Sequence, residues 1–151
     1  MSSNYDNLSE VCYTFPSVNF ASGSTAKMKI PRGAKMARVC DILFSATVLF
    51  TQVTTPANVQ IGDGTTANAF GQLSPGALAA GNTFGASDVT GGLFGVGNQY
   101  GNAATAVYLA GNYNSGAGLH DLIVTFVAPT GGTPAGTATV IVVVGYDQIT
   151  P

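Results

Sequence analysis

Apolar and polar positions alternate at period two in the strongest segments of this chain, and nothing in it reads convincingly as a helix. In residues 35–53, Cys40, Ile42, Phe44, Ala46, Val48 and Phe50 fall on one face. Asp41, Ser45, Thr47 and Thr51 fall on the other, with Val39, Leu43 and Leu49 among them. Successive side chains on a strand point to opposite sides, so this alternation predicts a sheet with one face on a core. Residues 120–128 repeat it, Leu122, Val124 and Phe126 alternating with Ile123, Thr125 and Val127. Residues 137–148 hold Val140-Ile141-Val142-Val143-Val144, apolar on both faces. A continuous β-branched run predicts a central strand covered on both sides.

Weaker strands are predicted over residues 11–20, 24–30, 57–61 and 104–110. Pro16 lacks an N–H and marks the first as an edge strand or a bulge. Turn residues separate the pieces: Ser22-Gly23-Ser24, Pro31-Arg32-Gly33, Thr54-Thr55-Pro56, Gly62-Asp63-Gly64 (a hairpin turn by its composition) and Pro129-Thr130-Gly131-Gly132. Several short strands punctuated in this way predict an all-β, single-domain β-sandwich or barrel.

The expected organisation is an N-terminal arm and edge strand over residues 1–23 and a sandwich over residues 24–151. Within it, residues 62–118 are rich in Gly, Ala, Asn and Thr and contain Phe70, Phe84, Phe94, Tyr100, Tyr108 and Tyr113. A structureless loop of that length is unusual inside a compact domain. Short strands and ordered loops are expected there, the aromatics anchoring them to the sandwich or to a neighbouring subunit.

Composition sharpens this reading. Of the 151 residues 46% are hydrophobic and only 8% are charged, against about 25% charged in an ordinary soluble domain. Disorder goes with the opposite balance. No apolar run approaches the roughly 18–20 residues that cross a bilayer as a helix, and Met1-Ser2-Ser3-Asn4-Tyr5-Asp6 does not open as a secretory signal. Charge depletion is typical of surfaces covered by other chains. A homo-oligomer is therefore expected, ahead of a monomer solvated by Thr, Ser, Asn and Gln. Cys12 and Cys40 are too few for a disulfide scaffold and are expected as buried, reduced thiols.

All five bases, Lys27, Lys29, Arg32, Lys35 and Arg38, crowd one short stretch, while the seven acids are scattered singly. Lys27 and Lys29 alternate with Met28 and Ile30, so both lysines are expected on one face. The cluster reads either as a docking patch for an acidic protein surface or as an edge strand guarded by lysines. Nucleic acid is disfavoured by the net charge of -2 and by the lack of interleaved aromatics.

Chemistry-bearing patterns are missing. His120 is the one histidine, too few for a His-rich metal site, and its neighbour Asp121 would point to the opposite face of a strand. Gly95-Val96-Gly97-Asn98-Gln99-Tyr100-Gly101 has the wrong spacing for a dinucleotide loop. The expectation is a binding protein and not an enzyme, with no cofactor, metal or small-molecule substrate.

A basic turn, Ile30-Pro31-Arg32-Gly33-Ala34-Lys35, leads into the long strand. Thr54-Thr55-Pro56-Ala57-Asn58-Val59-Gln60-Ile61-Gly62, a Gly/Ala-rich middle and Pro129-Thr130-Gly131-Gly132-Thr133-Pro134-Ala135-Gly136-Thr137-Ala138 then precede the valine strand. From about residue 24 onward this arrangement resembles small virion proteins of tailed bacteriophages, of the head decoration, cement or head-fibre-like type. The resemblance implies a jelly-roll-like sandwich, often trimeric, seated where major capsid subunits meet and made in the host bacterial cytoplasm. It implies capsid docking through Lys27, Lys29, Arg32, Lys35 and Arg38, subunit contacts through the middle aromatics, and residues 1–16 as an arm reaching a neighbour. The alternative is a receptor- or carbohydrate-binding module of a spike or tail, with Tyr and Asn of residues 98–114 stacking on and bonding to sugars. A hydrolase using His120 and Asp121 is a third reading that no motif favours.

Overall fold

The computed structural model describes residues 8–28, 37–51, 54–62, 67–68, 71–85 and 122–147. Among these there is no helix, and eight strands follow one another: β1 (Leu8–Asn19), β2 (Ser24–Met28), β3 (Ala37–Val48), β4 (Asn58–Gly62), β5 (Gly71–Leu73), β6 (Thr83–Gly85), β7 (Leu122–Val127) and β8 (Thr137–Asp147). They form two four-stranded antiparallel sheets, β1-β8-β3-β6 and β2-β7-β4-β5.

The pairing is nested. β1 lies against β8, β2 against β7, β3 against β6 and β4 against β5, and the pairs alternate between the sheets. Contacts of β8 with β3 and of β7 with β4 complete each sheet. This is the chain path of a jelly roll, one long hairpin wrapped into two packed layers. The all-β sandwich expected from the alternation is the fold the chain adopts.

Between the layers, the first sheet contributes Val39, Ile42, Phe44, Val140, Val142 and Val144, and the second contributes Met28, Val59, Ile61, Leu122, Val124 and Phe126. Each such side chain removed from water stabilises the fold by about 1.5–3 kcal/mol. Phe20, in the turn from β1 to β2, is fully buried at their junction. Its ring centroid lies 5.0 Å from Phe50, 6.2 Å from Phe44 and 5.7 Å from Phe126.

Two bulges modify the alternation of the long strand. The register of β3 on β8 shifts between Val39 and Asp41 and again between Ala46 and Val48. An extra residue at each shift changes which face the following side chains meet. Val39, expected outward, is therefore buried, and Val48, expected inward, is exposed. Cys40 sits at the first bulge and is half-buried, while Cys12 is exposed on β1; neither forms a disulfide. The expectation of two buried thiols fails because Cys12 falls on the outward phase of β1, where Val11, Tyr13 and Phe15 take the inward one.

Pro16 marks what it promised. β1 is an edge strand with a register shift between Phe15 and Val18, and Ser17 there has φ of 51°. From Leu8 to Phe15 this strand is paired with β8 residue by residue, so residues 8–16 are sheet and not a free arm. β5 and β6 have three residues each, too few to show a period. The hairpin expected at Gly62-Asp63-Gly64 is longer: Gly62 closes β4, and residues 63–70 separate it from β5.

Phe20→Ala should cost about 3–5 kcal/mol of stability. Gly136 has φ of 142°, and a Cβ there would lie 2.6 Å from Phe50 Cδ1. Gly136→Ala combines backbone strain with overpacking and should cost about 2–4 kcal/mol. Urea unfolding followed by circular dichroism measures both.

Candidate functional site

Chain direction reverses at every strand, so the β1–β2, β3–β4, β5–β6 and β7–β8 turns share one end of the sandwich. Backbone bonds stitch these turns together. The Phe20 N–H donates to the Gly136 carbonyl at 2.9 Å, Phe50 N–H to the Leu78 carbonyl at 3.0 Å, and Thr54 N–H to the Thr130 carbonyl at 2.9 Å. Residues 20–23, 49–57, 74–82 and 128–136, which make this end, contain no Asp, Glu, Lys or Arg.

At the opposite end β2, β4 and β6 end and β3, β5 and β7 begin. Residues 29–36, 63–70 and 86–121 leave from it and return to it, and β1 begins and β8 ends there. Among the described residues every charged one belongs to this end. Glu10, Lys27, Arg38, Asp41 and Asp147 lie in the strand halves nearest it. Asp6, Lys29, Arg32, Lys35, Asp63, Asp88 and Asp121 lie in the segments attached to it. The sandwich thus has a charged end and a neutral one.

The five expected docking residues converge on a single connection. Lys27, next to last in β2, is exposed and lies in register with Ile123 of β7. Met28 beside it is fully buried, so the outward phase of Lys27 follows from the inward anchoring of Met28. Arg38 is the second residue of β3, opposite Gly145 of β8, which pairs on its other side with Glu10. Lys29, Arg32 and Lys35 lie on the connection between, outside the described residues.

Of the expected subunit-contact aromatics, Phe84 is described, and it is committed to the fold. It is half-buried on β6, in register with Phe44, and their rings lie 6.2 Å apart. Its phase on β6 points it at the core, which the sequence could not reveal in a strand of three residues. Phe70, Phe94, Tyr100, Tyr108 and Tyr113 lie outside the described residues, as do His120 and Asp121.

Two surface features were missed. On the outer face of the second sheet, Gln72 Oε1 accepts from Asn68 Nδ2 at 3.2 Å, Asn58 Nδ2 at 3.4 Å and Gln60 Nε2 at 3.5 Å. Asn58 Oδ1 is buried without a partner. The alternation Asn58-Val59-Gln60-Ile61 was the available signal. The outer face of the first sheet carries Leu43, and Val48 and Leu49 follow toward the neutral end; these are the large apolar side chains exposed among the described residues. Leu43 and Leu49 stand on the face the alternation gave them, whereas Val48 is turned outward at the second bulge, which could not be read from the sequence.

Among the described residues no three His, Cys, Asp or Glu side chains are grouped to hold a metal, and no helix is long and apolar enough to cross a membrane. Comparison with protein-family models, with curated proteins and with solved structures finds no match.

A thiol reagent reports the phase of β1 directly. Ellman's reagent should titrate exposed Cys12 in a fast phase in the folded protein. Cys12→Ser should abolish that phase and leave the slower reaction of half-buried Cys40.

Proposed function

We propose that this chain is a structural virion protein, a capsid decoration (cement) subunit that binds the assembled shell of a tailed phage through its charged end. The observation that carries this reading is the gathering of all five bases on and beside the β2–β3 connection. A compact sandwich offers the rigid body such a role requires, and one charged end gives it a preferred orientation of approach.

The work is mechanical. A subunit that binds only the assembled shell stabilises that state by mass action. Linked copies strengthen the effect, because each engaged contact raises the effective concentration of the next. The acidic partner surface is assigned to the major capsid protein. Residues 98–114, on which a sugar-binding role would rest, lie outside the described residues and lend that role no support.

The combined variant Lys27→Glu, Lys29→Glu and Arg32→Glu should lose co-sedimentation with expanded heads stripped of the protein, at an unchanged circular dichroism spectrum. Wild-type attachment should weaken as salt rises from about 0.1 M to 1 M, since screening shortens from about 10 Å to about 3 Å. Undiminished attachment of the charge-reversed protein would refute the docking role.

A further inference from the structure

The neutral half of the molecule has its own surface, independent of the docking role. β3 turns Leu43 and Ser45 outward, β8 turns Ile141 and Thr139 the same way, and β6 adds Thr83. Leu43 is 36% exposed, and beyond it toward the neutral end Val48 and Leu49 are 48% and 50% exposed. Beside Leu43 lies a trough of about 370 Å³ whose walls include Phe84, Ile141, Thr83 and Thr139. Among the described residues no charge falls on this surface from Leu43 to the turns, and Asp41, the outward residue before Leu43, borders it.

We propose that this surface, from Leu43 to the stitched turns, is covered in solution by a second copy of the chain. A charge buried against it would find no opposite charge and would lose its hydration uncompensated. The occupant must therefore be neutral over the whole contact. The chain itself supplies such a surface, and it carries both halves of a fit: protruding Val48 and Leu49, and the trough, walled by Leu43, to receive them. A two-fold arrangement lets each copy insert its apolar side chains into the other, since one patch meets itself in an isologous contact.

Size sets the extent. Four strands about 4.8 Å apart, taken over six residues of about 3.4 Å rise, give a face of roughly 400 Å². A standard interface buries about 800 Å² per partner. The sheet face alone falls short, so the contact runs on over the neutral turns where Val48 and Leu49 stand. Both charged ends then remain in solvent.

Sedimentation velocity on the purified full chain decides the matter. The wild type should sediment as a dimer or a higher multiple at micromolar concentration. Leu43→Lys combined with Leu49→Lys should sediment at the single-chain mass with an unchanged circular dichroism spectrum. Should that variant misfold, Ser45→Arg, which replaces an exposed polar side chain, serves with the same expectation. Lys27→Glu, at the other end, should keep the assembled mass. A wild type at the single-chain mass, or a folded Leu43/Leu49 or Ser45 variant that stays assembled, overturns the proposal. No shell is present, so failure here is separate from failure of head attachment.

Discussion

The two sheets are held in register by the burial of Phe20 where the chain first crosses between them. Its ring meets Phe44 from the first sheet, Phe50 from the turn that leaves it, and Phe126 from the second. Aromatic pairs at these separations contribute about 0.5–1.5 kcal/mol beyond the area they bury. Its backbone N–H reaches Gly136 at the mouth of the last turn. One residue thereby ties the first crossing to the final one, and the glycine it meets leaves the space into which Phe50 fits. The nested strand order relies on that tie, because every strand pair except β4–β5 joins segments remote in sequence.

The stitched end is closed by backbone bonds and small residues, which leaves it no need of charge and no means of staying well hydrated except through Thr, Ser and Asn. The opposite end has all of the charged residues among those described, Glu10, Lys27, Arg38, Asp41 and Asp147. Electrostatics and hydrophobic contact are thus assigned to different parts of one rigid body. A molecule so divided can meet a charged partner with one end and a neutral one with the other, without either contact interfering with its neighbour.

Much of the fold was legible because strand burial writes itself into the sequence at period two. β7 follows its alternation closely, with Leu122, Val124 and Phe126 buried; β8, expected to be covered on both faces, buries Val140, Val142 and Val144 and leaves Ile141 and Val143 half-buried on the outer one. β3 was legible in existence and in the phase of Ile42, Phe44 and Ala46, and not at its two bulges, since a bulge has no side-chain signature. Val39 and Val48 were lost in that way. The candidate site was legible as a cluster of bases. Its position was not, because which end a connection occupies depends on the strand order. Phe84 shows the same limit: an aromatic in a Gly-rich stretch is equally at home in a core or an interface until its strand partner is known.

The place of β8 between β1 and β3 also shapes how the chain must mature. Both flanking strands precede it in sequence by a long way, so during synthesis β1 waits without a strand partner and β3 with only the short β6 beside it until the valine-rich segment is delivered. Pairings that span so much of the chain are slow to close, and waiting strand edges attract other chains at high concentration. The nascent protein is therefore most vulnerable just before β8 is delivered, and crowded production should reward cooler growth or a holding chaperone.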